Sequence, residues 1–439
     1  MNYCEYLHND SEGYPQDKFD NFSRISGKNG IIHISTAIIT NTTNLYLIIY
    51  FFSSERAAGN ITITAKGVIH MKIICSKSNL LNGVNTVSKA VPSKTTMSIL
   101  ECILIDASKG EIKLTANDME LGIETIIEGE IIEKGIIALD AKIFLEMVRK
   151  LPDNDVTIAT DPSYKATVTC EKAKFNIVGK SGEDFSYLPQ IDRSESICVS
   201  QFTLKEVIRQ TIFSIADNFT NKILTGELFE IHDDILKVVS SDGLRISLRR
   251  IHLKNSYPAK KVIVPGKTLS EISKILPGDA DKDVNIFFTN KHILFEFDST
   301  TVVSRLIEGD YLKIDNILSA DYETKVTINK KEFQNCIDRS TLLVKEGDKK
   351  PIILNILNDV MELKMNSIIG SLNEEIDIAK SGKDLMIGFD PKFLIDALKV
   401  IEDEQVEIKL LNSKAPCFIK DDEENYTYLI LPVTFNAVN

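Results

Sequence analysis

Tryptophan is absent from the 439 residues, which excludes nothing by itself, but other absences are informative. Only six histidines are present. None falls in a His-Glu-x-x-His pattern or in a defensible Cys-His or Ser-His-Asp grouping, so zinc-protease and triad chemistry are set aside. Neither a Gly-x-Gly-x-x-Gly nor a Gly-x-x-x-x-Gly-Lys loop occurs, which removes the common phosphate cradles. The seven cysteines, Cys4, Cys75, Cys102, Cys170, Cys198, Cys336 and Cys417, are odd in number and show no metal-ligand or redox spacing. They read as reduced, mostly buried core thiols. The apolar stretch Leu45 to Phe52 is too short to span a bilayer and too far from the N-terminus for a secretory signal. No catalytic residue, metal, cofactor or membrane contact is assigned, and a cytoplasmic location is expected.

What is present suits a multidomain globular chain. A length of 439 residues exceeds what one core usually serves, so two or three domains are expected. Hydrophobic residues make up 43% and charged residues 26%. The net charge of −12 argues against nucleic acid when taken as an average, although an average can hide a local basic surface. Residues 1–70 are rich in Asn, Ser, Thr and Ile without sustained periodicity. They read as a non-native or disordered N-terminal extension, the alternative being a genuine extension with its own role. At Met71 a short strand runs into a capped amphipathic helix, and Met71 reads as the true start.

The remainder is an internal repeat. IIALDAKIFLEMVRKLPDNDVTIAT, VIVPGKTLSEISKILPGDADKDVNIFF and MIGFDPKFLIDALKVIEDEQVEIKL each read strand, turn, amphipathic helix, polar turn, strand. Their turn residues Asp140, Pro265 and Asp390 are separated by two steps of 125. A hairpin precedes each, with Asn117, Ser241 and Asn366 at like positions. An earlier helix opens each copy behind a Ser or Asn cap. The fold class is thus α+β: three domains at 71–190, 198–321 and 325–439, each with two helices on antiparallel sheets.

The later helices carry an apolar face, namely Ile143, Phe144, Met147, Val148 and Leu151, then Leu269, Ile272, Ile275 and Leu276, then Phe393, Leu394, Ala397, Leu398 and Ile401. Opposite lie Lys142 and Arg149, Lys267 and Lys274, and Lys392 and Lys399. Seven residues are about two helical turns, so each pair projects from one face. One such helix would merely be solubilised. Recurrence in an acidic chain points to a cationic surface suited to a phosphate backbone without base readout.

These residues resemble the beta subunit of bacterial DNA polymerase III, the beta sliding clamp family. The resemblance spans Met71 to Phe435 and rests on MKIICSKSNLLNGVNTVSKAVPSKTTMSILECILI, NKILTGELFE, SSDGLRISL, VIVPGK and YTYLILPVTF. It implies three DNA-clamp domains forming half of a closed ring, a homodimer that encircles duplex DNA and tethers the polymerase alpha subunit. It also implies loading by an ATP-driven clamp loader, other partners that share a clamp-binding peptide motif, and no hydrolysis by the ring. The family's partner peptides enter an apolar pocket between the second and third domains. The matching positions are Leu224, Ser241, Gly243, Leu244, Arg245, Ile246, Pro265, Tyr311, Phe393, Pro416, Leu429, Leu431, Pro432 and Val433, with Ser241 and Arg245 expected to orient the peptide. Lys94 and Lys222 match further DNA contacts. Thr434 stands where many relatives carry Arg, which puts the pocket rim in question. Two other classes stay open: an enzyme of DNA metabolism, and a peptide-binding scaffold that never encircles DNA. The acidic run Asp421 to Glu424 reads as a solvated hairpin turn.

Overall fold

The computed structural model describes residues 71–435, save 218–220, 315–316, 318–320, 345–349, 422 and 424, together with three backbone strands nearer the N-terminus. Those strands, Phe22–Gly27, Gly30–Asn41 and Asn44–Phe52, form an antiparallel sheet of their own. They lie within 1–70, the stretch read from the sequence as a non-native or disordered extension. Gly27 lies opposite Gly30 and Asn41 opposite Asn44, and runs rich in Ile, Thr and aromatics favour strands even without strict alternation. Cys4 and the other residues of 1–70 lie outside the described residues.

From Met71 onward one unit is built three times. Its first helix is α1 (Lys77–Val87), α3 (Gln201–Thr211) or α5 (Lys330–Thr341), and its second is α2 (Ala141–Lys150), α4 (Gly266–Ile275) or α6 (Pro391–Val400). Ser76, Ser200 and Asn329 cap the first helices, each side chain accepting from the N–H three residues on. Each such cap is worth about 1 kcal/mol. Asp140 and Asp390 cap α2 and α6, whereas Pro265 opens α4 without a side-chain bond. The first residue of each first helix donates its N–H to the carbonyl just before the strand that follows the second helix: Lys77 to Asn154 at 3.1 Å, Gln201 to Lys282 at 2.8 Å and Lys330 to Glu404 at 2.9 Å. Equal hydrogen bonds at equal places make the copies equivalent in three dimensions as well as in sequence. Within each copy the two helices pack together.

The apolar faces of the second helices are buried, with one correction. Phe144, Met147, Val148, Leu151, Leu269, Ile272, Leu276, Leu394, Ala397, Leu398 and Ile401 enter the cores, while Ile143 is 56% exposed. Ile143 is one residue, about 100° of helix, from Phe144, and the buried stripe passes through Ala141, Phe144 and Val148 instead. Five of the six described cysteines are buried and the sixth, Cys198, is partly so; all six are free. Burial pushes the thiols of Cys75, Cys336 and Cys417 up to about 12, so they are inert packing groups.

All three expected hairpins form, and the marker residue has the same register each time: Asn117 opposite Gly122, Ser241 opposite Ile246 and Asn366 opposite Ser371. The outer sheets run without a break from one repeat into the next. Leu121–Ile127 of the first hairpin pairs with Thr300–Arg305, the last strand of the second repeat. Arg245–Pro265 of the second hairpin pairs with Tyr426–Ile430, the last strand of the third. Sheets of nine and ten strands result. Each inter-repeat boundary is therefore held by backbone ladders as well as by side chains.

Candidate functional site

The junction of the second and third repeats gathers residues far apart in sequence. Ile246 faces Leu429 across the strand pair, and Leu431 N–H donates to the Leu244 carbonyl at 2.9 Å. Leu224, Ile246, Tyr311 and Leu429 belong to one buried apolar cluster, with Leu431 packed against it. Leu244 and Val433 are the exposed apolar members. Gly243 takes a φ of +89°, a conformation that favours glycine, and its N–H donates to Ser241 Oγ at 3.1 Å. Pro265, Phe393, Pro416 and Pro432 are partly buried, and Val433 N–H reaches the Gly388 carbonyl at 2.8 Å. Thr434 is exposed. Sequence reasoning missed Ile223, Ile263, Ile307, Ile314 and Phe418, which also belong to or pack against the cluster. Their positions alternate in strands or lie in the connecting segment, so nothing local marks them as belonging to this junction.

Ser241 and Arg245, expected to orient a peptide, already have partners within the chain. Ser241 Oγ donates to the Arg245 carbonyl at 2.9 Å. The buried Arg245 guanidinium donates to Asp242 Oδ2 at 2.9 Å, Asp396 Oδ2 at 2.8 Å and the Phe213 carbonyl. It also lies 4.5 Å from the Phe393 ring centroid. Both side chains are thus engaged within the chain. Arg245 acts as a strut tying the second hairpin to α6 and to the segment after α3, and the exposed side chains Leu244 and Val433 at this junction are apolar.

Behind this junction sits a fully buried carboxyl, Glu227, on the strand Gly226–Ser241. Thr211 Oγ1 lies 3.1 Å from its Oε2 but also 2.7 Å from the Val207 carbonyl, and Glu227 Oε1 has no partner among the described residues. One hydroxyl proton cannot serve both acceptors, which favours a protonated Glu227. Burial pushes its pKa up to about 8, against 4.5 for an ordinary glutamate. Because the folded state holds this proton more tightly than the unfolded state, its contribution to stability is fully present below pH 4.5 and is lost as pH rises through 8. Glu227→Gln should therefore leave the melting temperature near pH 4.5 little changed and raise it at pH 9. At about 1.4 kcal/mol per pKa unit the full effect is on the order of several kcal/mol. Parallel melting curves of the two proteins from pH 5 to 9 would overturn this assignment.

The expected DNA-facing cations are all solvent-exposed: Lys94, Lys142, Arg149, Lys222, Lys267, Lys274, Lys392 and Lys399. They differ in company. Arg149 bonds Glu146 at 2.7 Å and Asn85 on α1 at 3.3 Å, Lys274 bonds Glu271 at 2.8 Å, and Lys267 pairs with Asp118 in the turn of the first hairpin. Lys142, Lys392 and Lys399 have no ion-pair partner among the described residues. Exposed pairs of this kind are weak and exchange readily for another anion. Among the described residues no cluster of His, Cys, Asp and Glu could hold a metal ion, and no helix is long and apolar enough to cross a membrane.

Three family models match the chain in order: the DNA polymerase III beta subunit N-terminal domain over residues 71–189, its central domain over 198–313 and its C-terminal domain over 315–434. The chain belongs to the DNA polymerase III beta subunit family. The beta sliding clamp of Staphylococcus epidermidis is 34% identical over 374 residues, covering 83% of this chain and 99% of that protein. A crystal structure of a protein assigned as a DNA polymerase III beta subunit from Eubacterium rectale is 71% identical, with a TM-score of 0.81 over 83% of this chain and all of that one. The Bacillus subtilis DNA polymerase sliding clamp is 33% identical, with a TM-score of 0.80 over 84% of this chain and all of that one. As a sliding clamp the chain is a replicative processivity factor with no catalysis of its own. The matched span coincides with the threefold repeat, and residues 1–70 stand outside it.

Proposed function

We propose that two copies of this clamp close head to tail into a ring around duplex DNA, with the repeated helix cations facing the phosphates. We further propose that the groove between the second and third repeats docks peptide motifs of the polymerase alpha subunit, the clamp loader and other partners. Such a ring works in the cytoplasm, where replication takes place.

The supporting observation is a pair of unused strand edges. Two junctions inside the chain are made alike, a second hairpin strand against the last strand of the next repeat. The matching halves of a third such junction lie at opposite ends. Among the described residues, Ala173–Val178 pairs on one side only, and residues 370–377 do the same. Exposed edges of this kind invite pairing with another chain. The repeat supplies the register. Cys170 and Ala173 close a two-residue turn as Phe297 and Thr300 do, with Glu171 and Asp298 both at positive φ. Ala173 therefore matches Thr300, whose partner Thr125 matches Glu374. Across the ring this places Ala173 opposite Glu374 and Phe175 opposite Leu372. Phe175 is 42% exposed in the single chain. Its counterpart Val302, which faces Ile123, is fully buried.

The test is retention on nicked circular DNA after loading by the cognate clamp loader with ATP, followed by linearisation at high salt. Retention on circles with release from linear DNA is expected, since charge attraction alone weakens with salt on both forms. Phe175→Asp, which buries a charge in the closed ring, should give monomers in sedimentation and no retention. Equal release of the unaltered protein from both DNA forms would sink the encirclement reading.

A further inference from the structure

The first junction carries a counterpart of the second-junction groove, matched bond for bond. In the first hairpin Met119 N–H donates to Asn117 Oδ1 at 2.7 Å, and Asp118 Oδ1 accepts from the N–H groups of Glu120 and Leu121 at 3.0 and 2.7 Å. In the second, Gly243 N–H donates to Ser241 Oγ, and Asp242 Oδ1 accepts from Leu244 and Arg245 at 2.9 and 3.0 Å. Arg305 N–H donates to the Glu120 carbonyl at 2.9 Å, as Leu431 N–H does to Leu244. Val303 faces Gly122 where Leu429 faces Ile246.

The equivalent positions differ in chemistry. Leu244 and Leu431 of the second groove become Glu120 and Arg305 in the first, and His292 joins them at the edge of a cavity there. The floor stays apolar by a different route. A Cβ at Gly122 would collide with Leu188 Cδ2, so the missing side chain is replaced by Leu188 from the connecting segment, packed with Phe287, Leu294 and Val303. Asn117, larger than its counterpart Ser241, holds that segment by donating to the Ser186 carbonyl at 2.7 Å. Met119 and Tyr187 stand at the mouth, 56% and 57% exposed. Met119 takes a φ of +75°, where a residue with a side chain is disfavoured and glycine is not. The turn thus retains a costly apolar side chain at the groove entrance.

We infer that this first-junction groove is a second docking site, for an extended peptide that carries an apolar side chain beside a carboxylate. The inference rests on the peptide-docking reading of the second groove. Arg305 is the group that recognises the carboxylate. Its only ion pair among the described residues is with the exposed Glu120 at 3.7 Å, a long contact that a peptide acid can displace. His292, held below the ordinary histidine range by burial and then by Arg305 and Lys291, favours its neutral form and offers a hydrogen bond rather than charge. Met119, Tyr187 and Leu188 supply the apolar contact.

The experiment uses the full-length protein with 13C-methyl methionine and two fluorescein-labelled probes, Ser-Leu-Phe-Glu-Asp for the first groove and Gln-Leu-Ser-Leu-Phe for the second. The acidic probe is expected to shift the Met119 methyl resonance. Arg305→Glu should weaken its binding about tenfold or more, a usual cost for reversing a recognition charge. Met119→Gly suits the positive φ, so it should keep or raise the melting temperature while still weakening the acidic probe, which separates binding from folding. Leu431→Ser should weaken only the second probe. A Met119 resonance unmoved by the acidic probe, or acidic-probe binding that depends on Leu431 and not on Arg305, would overturn the inference. Failure of Gln-Leu-Ser-Leu-Phe alone, with the Met119 shift intact, would count against the second-groove reading and still support this site.

Discussion

Changing Lys142, Arg149, Lys267, Lys274, Lys392 and Lys399 to glutamate is expected to abolish loading on DNA and processive synthesis while leaving peptide binding at the second junction intact. Each cation that neutralises a phosphate contributes about 0.9 to the slope of log affinity against log salt. Reversing six per chain should therefore flatten or invert the salt dependence of duplex binding, measured by fluorescence anisotropy. Arg149, Lys267 and Lys274 have acidic partners in the free protein. In the full variant those acids lose their partners as well. The smaller set Lys142, Lys392 and Lys399→Glu breaks no ion pair among the described residues, and it should still lower loading severalfold through lost phosphate attraction. Normal processivity in the sixfold variant would refute the assignment of these helices to DNA.

Arg245→Ala should be the most destabilising single change at the second junction. It leaves the carboxylates of Asp242 and Asp396 and the Phe213 carbonyl without their buried partner, and it removes the cation from the Phe393 face. Breaking one side of a buried ion pair costs about 3–5 kcal/mol. The groove for partner peptides should fail with it, because the hairpin turn bearing Leu244 and the helix bearing Phe393 lose their common tether. Arg245→Lys keeps one charge but cannot hold three acceptors in a planar fork, so an intermediate loss is expected. Urea denaturation followed by peptide anisotropy measures both effects. A loss below about 1 kcal/mol with peptide affinity unchanged would show that Arg245 is not a strut.

Much of each repeat was legible locally. Hydrophobic spacing located α2, α4 and α6, and Ser76, Ser200 and Asn329 marked the starts of α1, α3 and α5. Asn117, Ser241 and Asn366 marked three hairpins of one register. These signals involve residues a few positions apart, where backbone geometry alone fixes who meets whom. The strands in 22–52 escaped notice because their apolar runs do not alternate cleanly, and Ile143 was misplaced because helical spacing tolerates an error of one residue at the edge of a stripe.

The groove itself was less legible. Its residues were named through a family resemblance, and the structure brings Leu224, Ile246, Tyr311, Leu429 and Leu431 to one apolar cluster. The intrachain hold on Arg245 was not legible, because its partner Asp396 lies 151 positions away. Likewise, Glu227 reads as an ordinary surface acid in a sequence and is instead a fully buried one.

By itself the sequence determined that three copies of one α+β unit follow each other at a spacing of 125 residues, each with a capped first helix and a matching pair of cations on the second. Periodicity and capping are properties of neighbours along the chain. Only the tertiary structure decided how the copies join, which cations already have acidic partners, and that the hairpin turns at the two internal junctions share one backbone geometry with different side chains. Strand pairing between repeats and burial of polar groups depend on residues more than a hundred positions apart, and no local pattern encodes those meetings.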